Sequence, residues 1–106
     1  MTNEEIKKVC KKIIDGKLFL DKIKDYEFVY DTYCFAIYYM FGTENTLKII
    51  DKLYRQVRKS GTYLERFFIH DLKIHILDIN ESCIESNCYI EGDVVRGDIK
   101  LEDIIG

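Results

Sequence analysis

Thr62–Ile79, TYLERFFIHDLKIHILDI, is the stretch that decides between an all-helical chain and a mixed one. It opens on Thr62-x-x-Glu65, a capping box in which hydroxyl and carboxylate each satisfy a free amide at a helix start. Leu64, Phe67, Phe68, Leu72 and Ile76 follow at helical spacing, but Leu72, Ile74 and Ile76 also alternate as a strand would. The pattern predicts a helix at least to Asp71 and leaves 72–79 open between helix and strand.

Upstream, Thr43–Ser60 reads as a helix that Thr43 can cap and Gly61 can close, with Ile50, Leu53, Tyr54 and Val57 on its buried face. Before it, 26–41 is dense in aromatics: Tyr26, Phe28, Tyr30, Tyr33, Phe35, Tyr38, Tyr39 and Phe41. A helix apolar all round belongs in the middle of a bundle, and Gly42 ends it. Residues 17–25 fit either a loop pinned by Leu18, Phe19, Leu20 and Ile23 or the start of that helix. The first helix is the clearest. Thr2-x-x-Glu5 caps it, Ile6, Val9, Cys10 and Ile13 share one face, Lys7, Lys8, Lys11 and Lys12 take the other, and Gly16 stops it.

Downstream the character changes. Asn80-Glu81-Ser82 reads as a turn, and Glu91-Gly92-Asp93-Val94 reads as a tight hairpin between Tyr89-Ile90 and Val94-Val95. Arg96-Gly97-Asp98 marks another turn before a short closing segment, 99–105. The expected fold is mainly α: a compact bundle of three to four helices with a short C-terminal β-hairpin or irregular acidic segment. One domain spans 1–106, its helical body over about 2–78 and its acidic segment over about 79–106.

Composition fits that body. The chain has 106 residues, 47% apolar, with no proline to break helices. Ala36 is its only alanine, while Ile, Lys, Tyr and Asn are abundant, a bias of AT-rich coding as in a low-GC bacterium or its phages. The acidic start, Met1-Thr2-Asn3-Glu4-Glu5, and the lysines that interrupt the following apolar residues do not resemble an export signal. The longest apolar run, Tyr33–Phe41, has nine residues, about half of the ~18–20 that cross a bilayer. A cytoplasmic chain with four reduced thiols is expected, without membrane contact.

Metal and catalytic chemistry are weakly supported. His70, His75, Cys83 and Cys88 are zinc-ligand types, but residues five apart lie ~140° apart around a helix and on opposite faces of a strand. Neither pair converges naturally, so the four stand as weak metal candidates and no cofactor is expected. Cys10 and Cys34 fall in apolar stretches and read as core. There is no nucleophile elbow, phosphate loop or dinucleotide fingerprint, and the chain is not expected to be an enzyme.

Charge points to partners. Residues 67–106 hold three Lys/Arg against nine Asp/Glu, a net −6. Glu85, Glu91, Asp93, Asp98 and Glu102 are the expected docking residues of a protein-binding module, an inhibitor or antagonist that sets an acidic surface on a basic target such as a nuclease or another nucleic-acid-processing enzyme. The alternative is a nucleic-acid-associated regulator using Lys48, Lys52, Arg55 and Lys59 on the 43–60 helix, although an overall pI near 5.4 opposes direct nucleic-acid binding. The tyrosine-rich apolar surface would also suit a homodimer.

Overall fold

Four amides at each helix start lack intrahelical partners, and this chain meets that need twice in the same way. In the computed structural model, which describes residues 1–16 and 30–105, α1 spans Asn3–Ile14 behind Thr2. The Thr2 hydroxyl accepts from the Glu5 N–H (3.2 Å) and the Glu5 carboxylate accepts from the Thr2 N–H (2.8 Å). Ile6, Val9, Cys10 and Ile13 are buried, as their spacing predicts. The readings of 17–25, and of Tyr26 and Phe28, fall outside the described residues.

The second helix, α2 (Tyr30–Ser60), holds both the aromatic segment and the 43–60 segment, broken at Gly42 (φ 84°, ψ 168°). Its first arm buries Tyr33, Cys34, Ile37, Tyr38 and Phe41, and its second buries Ile49, Ile50, Leu53 and Val57. The break frees carbonyls in the interior, which need donors. Asn45 and Thr46 are buried there, with Asn45 Nδ2 donating to the Phe41 carbonyl (3.0 Å) and Thr46 Oγ1 to that of Ile37 (3.5 Å).

The third helix, α3 (Tyr63–Glu85), begins on the second capping box, with distances of 3.2 and 2.9 Å at Thr62 and Glu65. Residues 72–79 are helical throughout. The turn expected at Asn80-Glu81-Ser82 does not form, because Ile79 and half-buried Cys83 continue the inner row begun by Ile69, Leu72 and Ile76. Burial of that row overrides the turn preference of Asn and Ser. The helix ends later, in a Schellman motif. Asn87 takes φ 54°, its N–H donates to the Ile84 carbonyl (3.2 Å), and the Cys88 N–H donates to that of Cys83 (2.8 Å).

The expected β-hairpin is not present, and no strand occurs among the described residues. A two-residue hairpin turn needs positive φ at both central positions or a suitable glycine. Gly92 (φ 100°) instead crosses the break at Gly42, where a Cβ on Gly92 would stand 2.5 Å from the Gly42 nitrogen. A Cβ on Gly42 would stand 2.0 Å from the Glu91 oxygen, so only two glycines allow this crossing. Thr43 secures it, giving its N–H to the Ile90 carbonyl (2.8 Å) and accepting the Ile90 N–H at Oγ1 (3.3 Å). Residues 88–92 are thus a strap across the kink of α2. It leads into two short helices, α4 (Asp93–Arg96) and α5 (Leu101–Ile105), the latter packed on α1.

Tyr33, Tyr38 and Phe41 fill the centre. The Tyr38 hydroxyl donates to the Ile76 carbonyl (3.3 Å), and the thiols of Cys34 and Cys10 lie 3.9 Å from the Leu72 and 3.7 Å from the Ile49 carbonyl. Burial pushes Tyr38 up to about 12 and Cys10 up to about 11, so both stay neutral near neutral pH. No helix among the described residues is long and apolar enough to cross a membrane.

Candidate functional site

A helix facing solvent on one side normally carries polar residues there. On α3 it does not. Opposite the inner row stand Tyr63, Phe67, His70, Ile74, Leu77, Glu81 and Ile84, separated by alternating steps of four and three residues. That alternation is the heptad spacing of a coiled-coil seam. Tyr63, Phe67, Ile74, Leu77 and Ile84 are exposed, from 44% at Leu77 to 71% at Tyr63, and Leu64 beside them is 78% exposed. Of the ten large apolar side chains exposed among the described residues, six are on α3. Single exposed apolar residues need no explanation, but a row about 32 Å long, interrupted only by His70 and Glu81, does.

No family model, curated protein or solved structure matches this chain. The site therefore has to be read from its own geometry.

The seam starts at a cleft of about 390 Å³ between the end of α2 and the start of α3. Tyr54, Val57 and Arg58 line one side and Tyr63, Arg66, Phe67 and His70 the other. The Tyr63 and Phe67 rings are 5.7 Å apart and tilted by 49°. Lys73 Nζ stands 3.7 Å from the centre of the Tyr54 ring, and the Arg58 guanidinium 5.5 Å from it. Glu81, Ile84 and Glu85 lie at the other end of the seam. The strip is thus apolar except at His70 and Glu81, with cations at its head and carboxylates at its tail.

The four residues of the expected basic stripe, on one face of α2, have different neighbours. Lys48 is paired with Glu44 (3.2 Å) and Arg55 with Asp51 (3.4 Å), each one turn away on the same helix. Lys59 is exposed near the end of α2. Lys52 lines a groove of about 540 Å³ against α1, where Lys7, Lys8 and Lys11 stand together with the carboxylates of Glu4 and Asp15.

The acidic candidates are similarly divided. Asp93 and Asp98 both bind Arg96, the latter at 3.2 Å, so their charge is partly answered within α4 and its exit. Glu85, Glu91 and Glu102 are exposed, at the end of α3, in the strap and on α5. His70 lines the cleft at the head of the seam, whereas His75, Cys83 and Cys88 line another, of about 410 Å³, with Phe35, Asp78 and Ser82. Among the described residues no group of three His, Cys, Asp or Glu side chains is arranged to hold a metal ion. Burial, then the neighbouring Cys88 thiol, raises the pKa of Cys83, the reverse of what an activated nucleophile needs.

Tyr63, Leu77 and Ile84 belong to none of the faces expected from the sequence, and Ile74 enters there only through its strand-like alternation with Leu72 and Ile76. The signal was present in the four-three spacing over 63–84. The inner row has the same period and obscures it, because Phe67 from one row and Leu72 and Ile76 from the other also fit a single helical spacing.

Proposed function

We propose that this chain is a protein-interaction module whose docking surface is the outer face of α3 and whose occupant is a second copy of the chain, lying antiparallel. The observation that carries this is the exposed heptad seam with its two polar positions, His70 and Glu81. A straight 23-residue helix with a 3.5-residue apolar repeat is matched by another helix crossing at about 20°. Two-fold pairing about a point between residues 75 and 76 sets Ile74 against Leu77, Phe67 against Ile84 and His70 against Glu81 of the second copy, each contact made twice. An imidazole N–H can donate to a carboxylate, so both polar positions gain a partner. A parallel pair would face His70 with His70 and Glu81 with Glu81, placing like groups together in an apolar seam. Antiparallel pairing also brings the cationic head of one copy to the acidic tail of the other.

The test is sedimentation velocity across a concentration series. The chain should sediment as a dimer, and Ile74→Glu should sediment as a monomer with unchanged helical circular dichroism. His70→Glu should weaken the dimer, and adding Glu81→Arg should restore it. A monomer at all concentrations would overturn the reading, as would a dimer indifferent to Ile74→Glu.

The acidic-surface reading, an inhibitor or antagonist docked on a basic target, is second. Three exposed carboxylates, Glu85, Glu91 and Glu102, favour it. Its test is separate: Glu91→Lys with Glu102→Lys should abolish binding to a basic target while leaving the dimer intact.

A further inference from the structure

Cys83 and Cys88 are five residues apart, a spacing that separates side chains on a continuous helix. Here the helix stops between them. In a Schellman motif the third residue from the helix end and the second beyond it meet, closed by a hydrogen bond between their backbones. Those two positions are Cys83 and Cys88, joined by the 2.8 Å bond from the Cys88 N–H to the Cys83 carbonyl. Standard bond lengths on either side of that bond hold their Cα atoms within about 6.7 Å, inside the range a disulfide spans. Their thiols are near enough for Cys88 to raise the pKa of Cys83, and both line the same open cleft. Cys88 is exposed and Cys83 half-buried behind it.

We propose that Cys83 and Cys88 form a reversible dithiol–disulfide site whose co-reactant is a low-molecular-weight disulfide of the glutathione type. The exposed Cys88, as thiolate, attacks one sulfur of the small disulfide, and the first small thiolate leaves. Cys83 then gives up its proton and attacks Cys88 Sγ, expelling the second. The protein loses two electrons and two protons, and the small disulfide becomes two thiols. The order follows from access: Cys83 is shielded and its thiol is held protonated by burial, so it acts second, on a sulfur already beside it. The bond formed ties the end of α3 to the first residue of the strap, whose next residues reach Ile90 and the Thr43 contact. Oxidation therefore fastens the strap at its origin, independently of the α3 seam.

The test uses the full, reduced chain and oxidised glutathione, read by intact mass and peptide mapping. The product should be lighter by two hydrogens, hold no glutathione and show a Cys83–Cys88 bridge that reduced glutathione reopens. Cys83→Ser should stop at the intermediate, one glutathionyl group on Cys88. Cys88→Ser should stay unmodified at Cys83 under the same conditions. A wild-type chain that accumulates the Cys88 adduct as Cys83→Ser does would overturn the proposal, because Cys83 would then be unable to reach its neighbour. So would a bridge to Cys10, Cys34 or a second chain, or no reaction at all.

Discussion

The first and third helices begin on the same chemical device and differ in what they do with their surfaces. Both are opened by Thr-x-x-Glu boxes of closely similar geometry. α1 then divides its faces, burying Ile6, Val9, Cys10 and Ile13 and turning Lys7, Lys8 and Lys11 outwards. α3 buries Ile69, Leu72, Ile76 and Ile79 and turns a second apolar row outwards. A helix of the first kind is complete once it meets the core. One of the second kind has spent only half of its apolar surface there, and the remainder marks a surface for a partner.

The sharpest way to break this comparison is to truncate one residue from each row of α3. Leu72→Ala removes a fully buried side chain and should cost about 2–5 kcal/mol in urea unfolding, at any protein concentration. Ile74→Ala removes an exposed one and should change monomer stability by no more than about 0.5 kcal/mol. Its effect should appear in the concentration dependence of unfolding, because only a dimer's stability depends on protomer concentration. Equal losses at both positions, independent of concentration, would mean that the outer row is already packed.

Tyr38→Phe gives a smaller effect that tests how α3's inner row is held. The hydroxyl donates to the Ile76 carbonyl, so its removal should cost about 1 kcal/mol at neutral pH. Burial raises the Tyr38 pKa from 10 to about 12, so the unfolded chain ionises first as pH rises. The contribution is complete below pH 10 and is lost on the way to about pH 12. The phenylalanine variant should unfold less steeply over that alkaline window. An unchanged alkaline slope would place the hydroxyl in water.

How legible all this was depended on how many patterns overlapped. The single apolar face of α1, its cap and its stop were plain, because one period explained every residue. At α3 the cap was plain as well, but two rows of equal period hid one another, and the strand-like alternation of Leu72, Ile74 and Ile76 belongs partly to each. Asn80 and Ser82 carried a local turn preference that burial of Ile79 and Cys83 outweighed. The Gly92 signal was real, though it marked a backbone crossing with Gly42, fifty residues away in sequence, rather than a hairpin. The meeting of Cys83 with Cys88 likewise depends on a helix end that local composition placed too early.

The two capping boxes supply the finest test, because their similarity makes each a control for the other. Glu5 and Glu65 both titrate below 4.5, chiefly because each accepts the N–H of its capping threonine; Met1 and Lys8 add a smaller push at Glu5. With folded pKa values depressed, each box contributes stability that is present above about pH 4.5 and lost as pH falls through the folded value. Glu5→Gln and Glu65→Gln should each reduce the acid slope of unfolding. Carboxyl chemical shifts then separate the two sites. In monomeric Ile74→Glu both should titrate below 4.5. Glu65 stands four residues before Ile69, on the inner side of α3 and away from the outer seam, and Glu5 is on another helix. Pairing through the outer row should therefore leave both carboxyl groups where they are in the monomer. A Glu65 that moves up in the dimer while Glu5 stays in place, as it would beside the carboxylates of a second copy, would put the contact on the wrong side of α3 and exclude the outer seam, even if the dimer itself were real.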